Sequence, residues 1–175
     1  MKIRVRFYLP LAGAALVLAL PLLTAADSKV PDEADVTATK QSIQDIRNVG
    51  TAMYNWYKAE MAPKRSPESH KKAEEAAKAP SVDISAVPEI SREDLAKVLV
   101  PKYIRSIPEK DGWGHPYDFH LDTKNPDAIP VMGLRSAGRD GKFSGDVYQV
   151  GGFSPADADQ DISWVDGYFV RWPEK

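Results

Sequence analysis

Cysteine is absent from this chain of 175 residues, and histidine occurs only three times. The absence of cysteine excludes disulfides, thiolate zinc sites and cysteine nucleophiles, and three scattered histidines disfavour a metal site built from histidine. The chain also lacks an excess of positive charge, because 23 Lys and Arg stand against 25 Asp and Glu. A nucleic-acid-binding protein needs that excess to meet phosphates, so this class is excluded. Apolar residues make up 43% of the chain, which suffices for the core of one domain.

The first 26 residues have the three-part layout of a secretory signal peptide. Three basic residues within the first six positions precede an apolar run from Leu9 to Leu23, and small residues lead up to Asp27. The run is about 15 residues long, whereas a membrane-spanning helix needs about 20. We therefore predict cleavage after residue 26 and export to the periplasm as a mildly acidic protein. The alternative is an uncleaved N-terminal segment that anchors the chain in the inner membrane.

Residues 33–60 predict one long amphipathic helix, within an N-terminal part that spans residues 27–61. Apolar positions three and four apart lie along one face, and polar residues fill the other. The face comprises Val36, Thr39, Ile43, Ile46, Gly50, Met53 and Tyr57, widened by Val49, Tyr54 and Trp56. Such a stripe is typical of a surface that packs on a core. The stretch from Thr37 to Gln44 has few large apolar side chains, so that end of the helix could project from the domain.

Residues 62–89 are charged and rich in proline, and they predict an exposed linker. From Ala62 to Pro80 the chain has no large apolar residue. A brief helix is possible at Lys71–Lys78. The charges in this stretch are best interpreted as solvated.

Residues 90–175 predict a short helix followed by a small sheet. Ser91 is placed to cap a helix whose buried side is formed by Leu95, Val98 and Leu99, and Pro101 ends it. The predicted strands are Tyr117–Leu121, Val131–Arg135, Ile162–Val165 and Tyr168–Trp172. Asp166-Gly167 between the last two is the strongest short signal for a β-hairpin. We therefore predict an α+β fold, with the long helix laid on one face of an antiparallel sheet that ends in a C-terminal β-hairpin.

Two turn-rich segments could carry chemistry. The segment from Asp111 to Tyr117 predicts a tight turn that delivers Trp113 into the core, and the alternative is a ligand site at Trp113 and His115. Ser136 follows a predicted strand, but Leu134 stands where a nucleophile elbow needs glycine. No enzymatic activity is therefore predicted.

Alternating carboxylates before the hairpin indicate a hard-cation site. Asp157, Asp159 and Asp161 stand two residues apart, and Asp140 could join them if the two acidic loops are neighbours. Calcium prefers several oxygen ligands in an adaptable shell, so calcium is the predicted ion. The spacing is not that of an EF-hand, which requires glycine at the sixth position of the loop. The alternative is that these are solvated loop acids.

Four features resemble, in order, the globular part of the major pseudopilin of type II secretion systems. They are a helix ending in Thr51–Tyr57, the stretch Leu95–Pro108, the turn Asp111–Tyr117, and Ser136–Gly141 with a later Asp161-Ile162. The resemblance covers roughly residues 33–172. It implies a pilin-like fold, a periplasmic setting and a calcium ion in the loop between the last strands. Asp140 and Asp161 best match the calcium ligands of that family.

The N-terminus departs from the family. A pseudopilin carries a basic leader cut at a glycine, followed by a long apolar helix with an early glutamate, whereas Leu18 stands at the corresponding position after Gly13. The predicted signal peptide takes the place of that helix. The expected function is that of a non-enzymatic exported protein whose partners are components of a secretion or pilus-like machine. The alternatives are a membrane-anchored pseudopilin subunit and a free periplasmic binding protein that reuses the fold.

Overall fold

The computed structural model describes residues 32–174, so the predicted signal peptide lies outside the described part of the chain. Helix α1 spans Glu33–Glu60, which confirms the predicted long helix. The Asp32 carboxylate caps it by accepting a 3.0 Å hydrogen bond from the backbone N–H of Ala34. No helix within residues 32–174 is long and apolar enough to cross a membrane.

The residues after α1 are folded into regular elements. Helix α2 spans Pro67–Ala76, and strand β1 spans Ser81–Asp83. The helix begins four residues before the predicted brief helix, because Ser66 caps it and Pro67 occupies its first turn. Helix α3 spans Arg92–Leu99 with Ser91 as its cap, as predicted.

The remaining elements form the sheets. Strands β2 to β7 span Asp118–Leu121, Met132–Ser136, Val147–Gln149, Gly151–Phe153, Ile162–Val165 and Tyr168–Pro173. The main sheet has the order β2-β3-β6-β7-β5, and β1 pairs with β4 in a separate antiparallel ribbon. The predicted hairpin is confirmed, since β6 and β7 pair through a turn in which Asp166 and Gly167 both have positive φ. The sheet is not wholly antiparallel, because β5 pairs with β7 in parallel.

Helix α1 lies across one face of the main sheet and forms the core with it. Ile46, Val49 and Met53 are fully buried, and they pack in one cluster with side chains of β2, β3 and β6. Gly50 permits the closest approach, because a Cβ at this position would lie 2.8 Å from the ring of Trp164. The α+β architecture predicted from the sequence is therefore correct.

The N-terminal third of α1 does not project from the domain. Ala38 and Ser42 are buried, and the Ser42 hydroxyl accepts a 3.0 Å hydrogen bond from the backbone N–H of Gly112. A side chain on Gly112 would collide with the Ala38 backbone. Small residues on both partners thus allow the turn before β2 to pack directly on the helix.

Candidate metal centre

Asp161 is the most deeply buried of the four predicted metal ligands, with 3% of its surface exposed. Its Oδ2 accepts three hydrogen bonds, from the Ser144 N–H at 2.9 Å, the Ser144 hydroxyl at 2.7 Å and the Tyr148 hydroxyl at 2.8 Å. Its Oδ1 is buried and has no hydrogen-bond partner among residues 32–174. A buried carboxylate oxygen without a partner carries a desolvation cost that a bound cation would offset.

Asp159 is engaged with a cation of the protein itself. It accepts two hydrogen bonds from the Arg139 guanidinium, at 2.8 and 2.9 Å, in a bidentate pair. Arg139 also donates to Asp35 of α1 at 2.8 Å. These contacts raise the pKa of Arg139, with Asp159 as the largest cause. Asp159 therefore helps to tie the loop to the helix through Arg139.

Asp140 and Asp157 are exposed and accept local hydrogen bonds. Asp140 accepts a 2.9 Å hydrogen bond from the backbone N–H of Lys142. Asp157 accepts a hydrogen bond of the same length from the side-chain amide of Gln160. Within residues 32–174, no group of three or more acidic or histidine side chains is placed to hold a metal ion. The four aspartates thus occupy different local environments. Binding of calcium by Asp140 and Asp161 stays a prediction.

A buried polar network continues from Asp161 into the sheet. Tyr148 donates to Asp161 and accepts a 2.9 Å hydrogen bond from Arg135, which in turn donates to Asp118 at 2.7 Å. Arg135 also forms an ion pair with Asp146 at 3.0 Å. Burial, with the nearby charge of Asp161, raises the pKa of Tyr148 to about 12, so its hydroxyl stays a donor at neutral pH. The network connects the candidate metal ligand with the edge of the sheet.

His120 lies at the far end of this network. Its Nδ1 donates to the Val87 carbonyl at 2.8 Å, and its Nε2 lies 3.1 Å from Asp118 Oδ2. Burial lowers the pKa of His120, because it disfavours the charged imidazolium. The hydrogen bonds to Asp118 and Val87 have the larger combined effect, so the pKa is raised. No sequence motif points to Arg135, Tyr148 or His120 as members of a site. The one signal for this network is Arg135 itself, which follows Leu134 in an apolar strand. A buried arginine requires polar partners, so its position indicates a buried network.

The turn from Asp111 to Tyr117 is organised by a buried carboxylate. Asp111 Oδ1 accepts from the backbone N–H groups of Trp113 and His115, and Oδ2 accepts from the Ser136 hydroxyl at 2.6 Å. Trp113 packs against the core but is only partly buried, whereas the sequence predicted that it lies within the core. It is half-buried at the edge, where its indole N–H donates to Asp35 at 3.1 Å, because the turn docks beside the start of α1.

Comparison with protein-family models, curated proteins and solved structures finds no match to this chain. The resemblance to the major pseudopilin therefore depends on the four sequence features alone.

Proposed function

We propose that this chain is a non-enzymatic, exported pseudopilin-like protein. It is accessory to type II secretion or to a related pilus-like machine, and calcium stabilises its C-terminal loop. The arrangement of α1 across the main sheet is compatible with a pilin-like fold. The observation that carries the proposal is the buried, unpartnered Oδ1 of Asp161, because it lies in the loop where the resemblance expects the ion.

Asp161 fits the role of a calcium ligand. A hard cation takes carboxylate and carbonyl oxygens, and Oδ1 is an oxygen that no donor of the described protein satisfies. In the proposal, Asp161 and Asp140 bind the ion through their side chains, and backbone carbonyls of the intervening loop complete the shell. The ion supplies positive charge next to a buried carboxylate whose hydrogen-bond donors within residues 32–174 are Ser144 and Tyr148. Its effect is to hold the start of β6, and with it the terminal hairpin, against the rest of the sheet.

The state of the N-terminus tests export and distinguishes the accessory protein from a pseudopilin subunit. We expect the mature chain, isolated from its native host, to begin at Asp27 when its intact mass is measured. Replacing Leu16 and Leu18 with arginine should leave the precursor in the cytoplasm, because charge in the apolar run blocks insertion. A mature chain beginning at Ala14 with a methylated N-terminus would instead identify an anchored subunit.

A secretion assay tests the machine-related role. Deletion of the gene in its host should cause proteins normally released by the type II system to accumulate in the periplasm. Complementation with the wild-type gene should restore release, whereas Asp161→Asn should restore it only partly at low calcium. Asp157→Asn, on an exposed position of the same loop, is the matched control. Normal release in the deletion strain would refute the proposed role and favour a free periplasmic binding protein.

A further inference from the structure

A cavity of about 430 Å³ lies between α2, the end of α1 and strands β3 and β6. This volume falls within the range of about 300–1,000 Å³ that is typical of small-molecule sites. None of its wall residues belongs to the loop from Arg139 to Asp161. The cavity is therefore separate from the candidate metal centre, and an inference about it does not depend on the proposed calcium.

The wall of the cavity is largely apolar and is made of small residues on one side. Five alanines of α2 and the chain after it line the cavity together with Met132 of β3, Val165 of β6 and the adjoining Val131. The alanines are Ala73, Ala76, Ala77, Ala79 and Ala86. Ala77 and Ala86 are exposed, so the cavity opens to solvent, and longer side chains at the alanine positions would occupy part of it. The composition of the wall thus leaves room for an apolar occupant.

Arg65 gives the cavity a polar group whose hydrogen bonding is incomplete. Its guanidinium donates to the Tyr57 hydroxyl at 2.6 Å and to the Ala128 carbonyl at 3.1 Å, both of which are neutral acceptors. Its Nε is buried, and no acceptor in the described part of the chain lies within hydrogen-bond distance of it. The hydrogen-bond partners of this half-buried guanidinium are neutral, although its charge also acts on the carboxylates of Asp127 and Asp166. Its unsatisfied N–H provides a place for an anionic acceptor.

Two carboxylates also reach the wall, but each already accepts local hydrogen bonds. Asp166 Oδ1 accepts from the backbone N–H groups of Val131 and Met132, at 2.9 and 3.0 Å. Asp83 Oδ1 accepts from Ser85, at the exposed start of a short 3-10 turn. Arg65 is thus the wall group with an unmet buried donor, and a carboxylate is the ligand group that matches it.

We propose that this cavity binds a small amphipathic carboxylate, with its apolar body against the alanine wall and its carboxylate at Arg65. A bidentate contact requires a change in the Arg65 rotamer, because Nε is covered in the present conformation. In this proposal the ligand supplies a direct anionic partner for Arg65 and apolar contacts for the alanine wall.

Three probes with the same apolar tail, octanoate, 1-octanol and octylamine, test the proposal. Binding to the full mature chain is followed by shifts in its ¹H–¹⁵N NMR spectrum. We expect saturable binding with octanoate tightest, and shifts that map to α2 and to the residues around Arg65. The strongest binding by octylamine would overturn the proposal, because it would assign the site to the carboxylates Asp83 and Asp166. Absence of saturable octanoate binding would overturn it as well.

Variants separate the two parts of the site. Arg65→Met should weaken octanoate binding at least tenfold and leave 1-octanol binding nearly unchanged, whereas Arg65→Lys should retain part of the preference for octanoate. Ala73→Leu should weaken binding of both probes, because the larger side chain occupies part of the cavity. Ala59→Leu, on an exposed position of α1, is the matched control. Folding of each variant is checked by circular dichroism, and unchanged octanoate binding by folded Ala73→Leu would overturn the site.

Discussion

Arg135 and Asp118 face each other directly across strands β2 and β3, and the Arg135 Nε donates to Asp118 Oδ2 at 2.7 Å. Their side chains are 8% and 16% exposed, so this is a buried ion pair. It is shared by His120 on one side and by Tyr148 on the other. The stability of the sheet edge is therefore coupled to the charge state of several groups.

Breaking this pair from the arginine side should strongly destabilise the protein. Arg135→Met should lower the free energy of unfolding by about 3–5 kcal/mol, because it leaves Asp118 buried with fewer donors. Urea denaturation measures the change. Lys97→Met, which removes an exposed ion pair with Asp94, is the control and should change stability little. A change of similar size in both variants would contradict the prediction.

The thermal stability of the protein should depend on the protonation of His120. Its pKa is raised in the folded state, so its stabilising contribution is fully present below the unfolded value of about 6.5. The contribution is lost as the pH rises through the folded-state pKa. Melting temperatures measured between pH 5 and pH 9 should therefore fall over this window.

Two histidine variants identify the source of this pH dependence. His120→Gln should flatten the pH profile of the melting temperature, whereas His70→Gln, on the exposed surface of α2, should leave it intact. Protonation of Asp118 should cause a second fall in the melting temperature, at lower pH. Burial would raise its pKa, but the hydrogen bonds from His120 and Arg135 lower it, so its contribution disappears only as the pH falls through that lowered value. An undiminished slope above pH 6.5 in His120→Gln would contradict the assignment.

Calcium should raise the melting temperature through Asp161. A free ion concentration tenfold above the dissociation constant adds about 1.4 kcal/mol to stability. Magnesium should do much less, because it requires a compact octahedral shell and gives up water reluctantly. The measurement is thermal melting of the wild type with chelator, with calcium and with magnesium.

Asp161→Asn and Asp157→Asn identify the calcium ligand. Asp161→Asn should lose the calcium shift while remaining folded in chelator, because an amide oxygen still accepts from Ser144 and Tyr148. Asp157→Asn should retain the shift. A wild-type melting temperature that is indifferent to calcium would refute the metal site, and a shift that survives in Asp161→Asn would assign other ligands.

Trp113 should contribute less to stability than a fully buried tryptophan. Trp56 is 7% exposed within the core, so Trp56→Ala should cost about 3–5 kcal/mol. Trp113 is half-buried, and Trp113→Ala should cost about 1–3 kcal/mol. Trp113→Phe should lose only the hydrogen bond to Asp35 and part of the packing. Denaturation of the three variants orders these costs, and an equal loss for Trp113→Ala and Trp56→Ala would place Trp113 in the core.

The helices α1 and α3 and the terminal hairpin were predictable because local signals specify them. A periodic apolar face predicted α1, Ser91 and Pro101 bounded α3, and Asp166-Gly167 supplied the two positive φ values of the tight turn. Helix α2 also had a local signal in Ser66 and Pro67, but the absence of large apolar residues favoured a linker. In the folded protein, its small side chains form a wall of the cavity instead.

Only the tertiary structure decided which acidic residues share partners. Asp157, Asp159 and Asp161 stand two residues apart, yet Asp159 pairs with Arg139 while Asp161 is buried beneath Ser144 and Tyr148. Strands β4 and β5 pair with β1 and β7 at long sequence separation, and short strands of this kind carry little periodic signal. The sequence by itself determined the elements whose conformation depends on neighbours along the chain. The buried oxygen of Asp161 and the unsatisfied Nε of Arg65 depend on groups distant in sequence, so folding alone decided which polar atoms lack a partner.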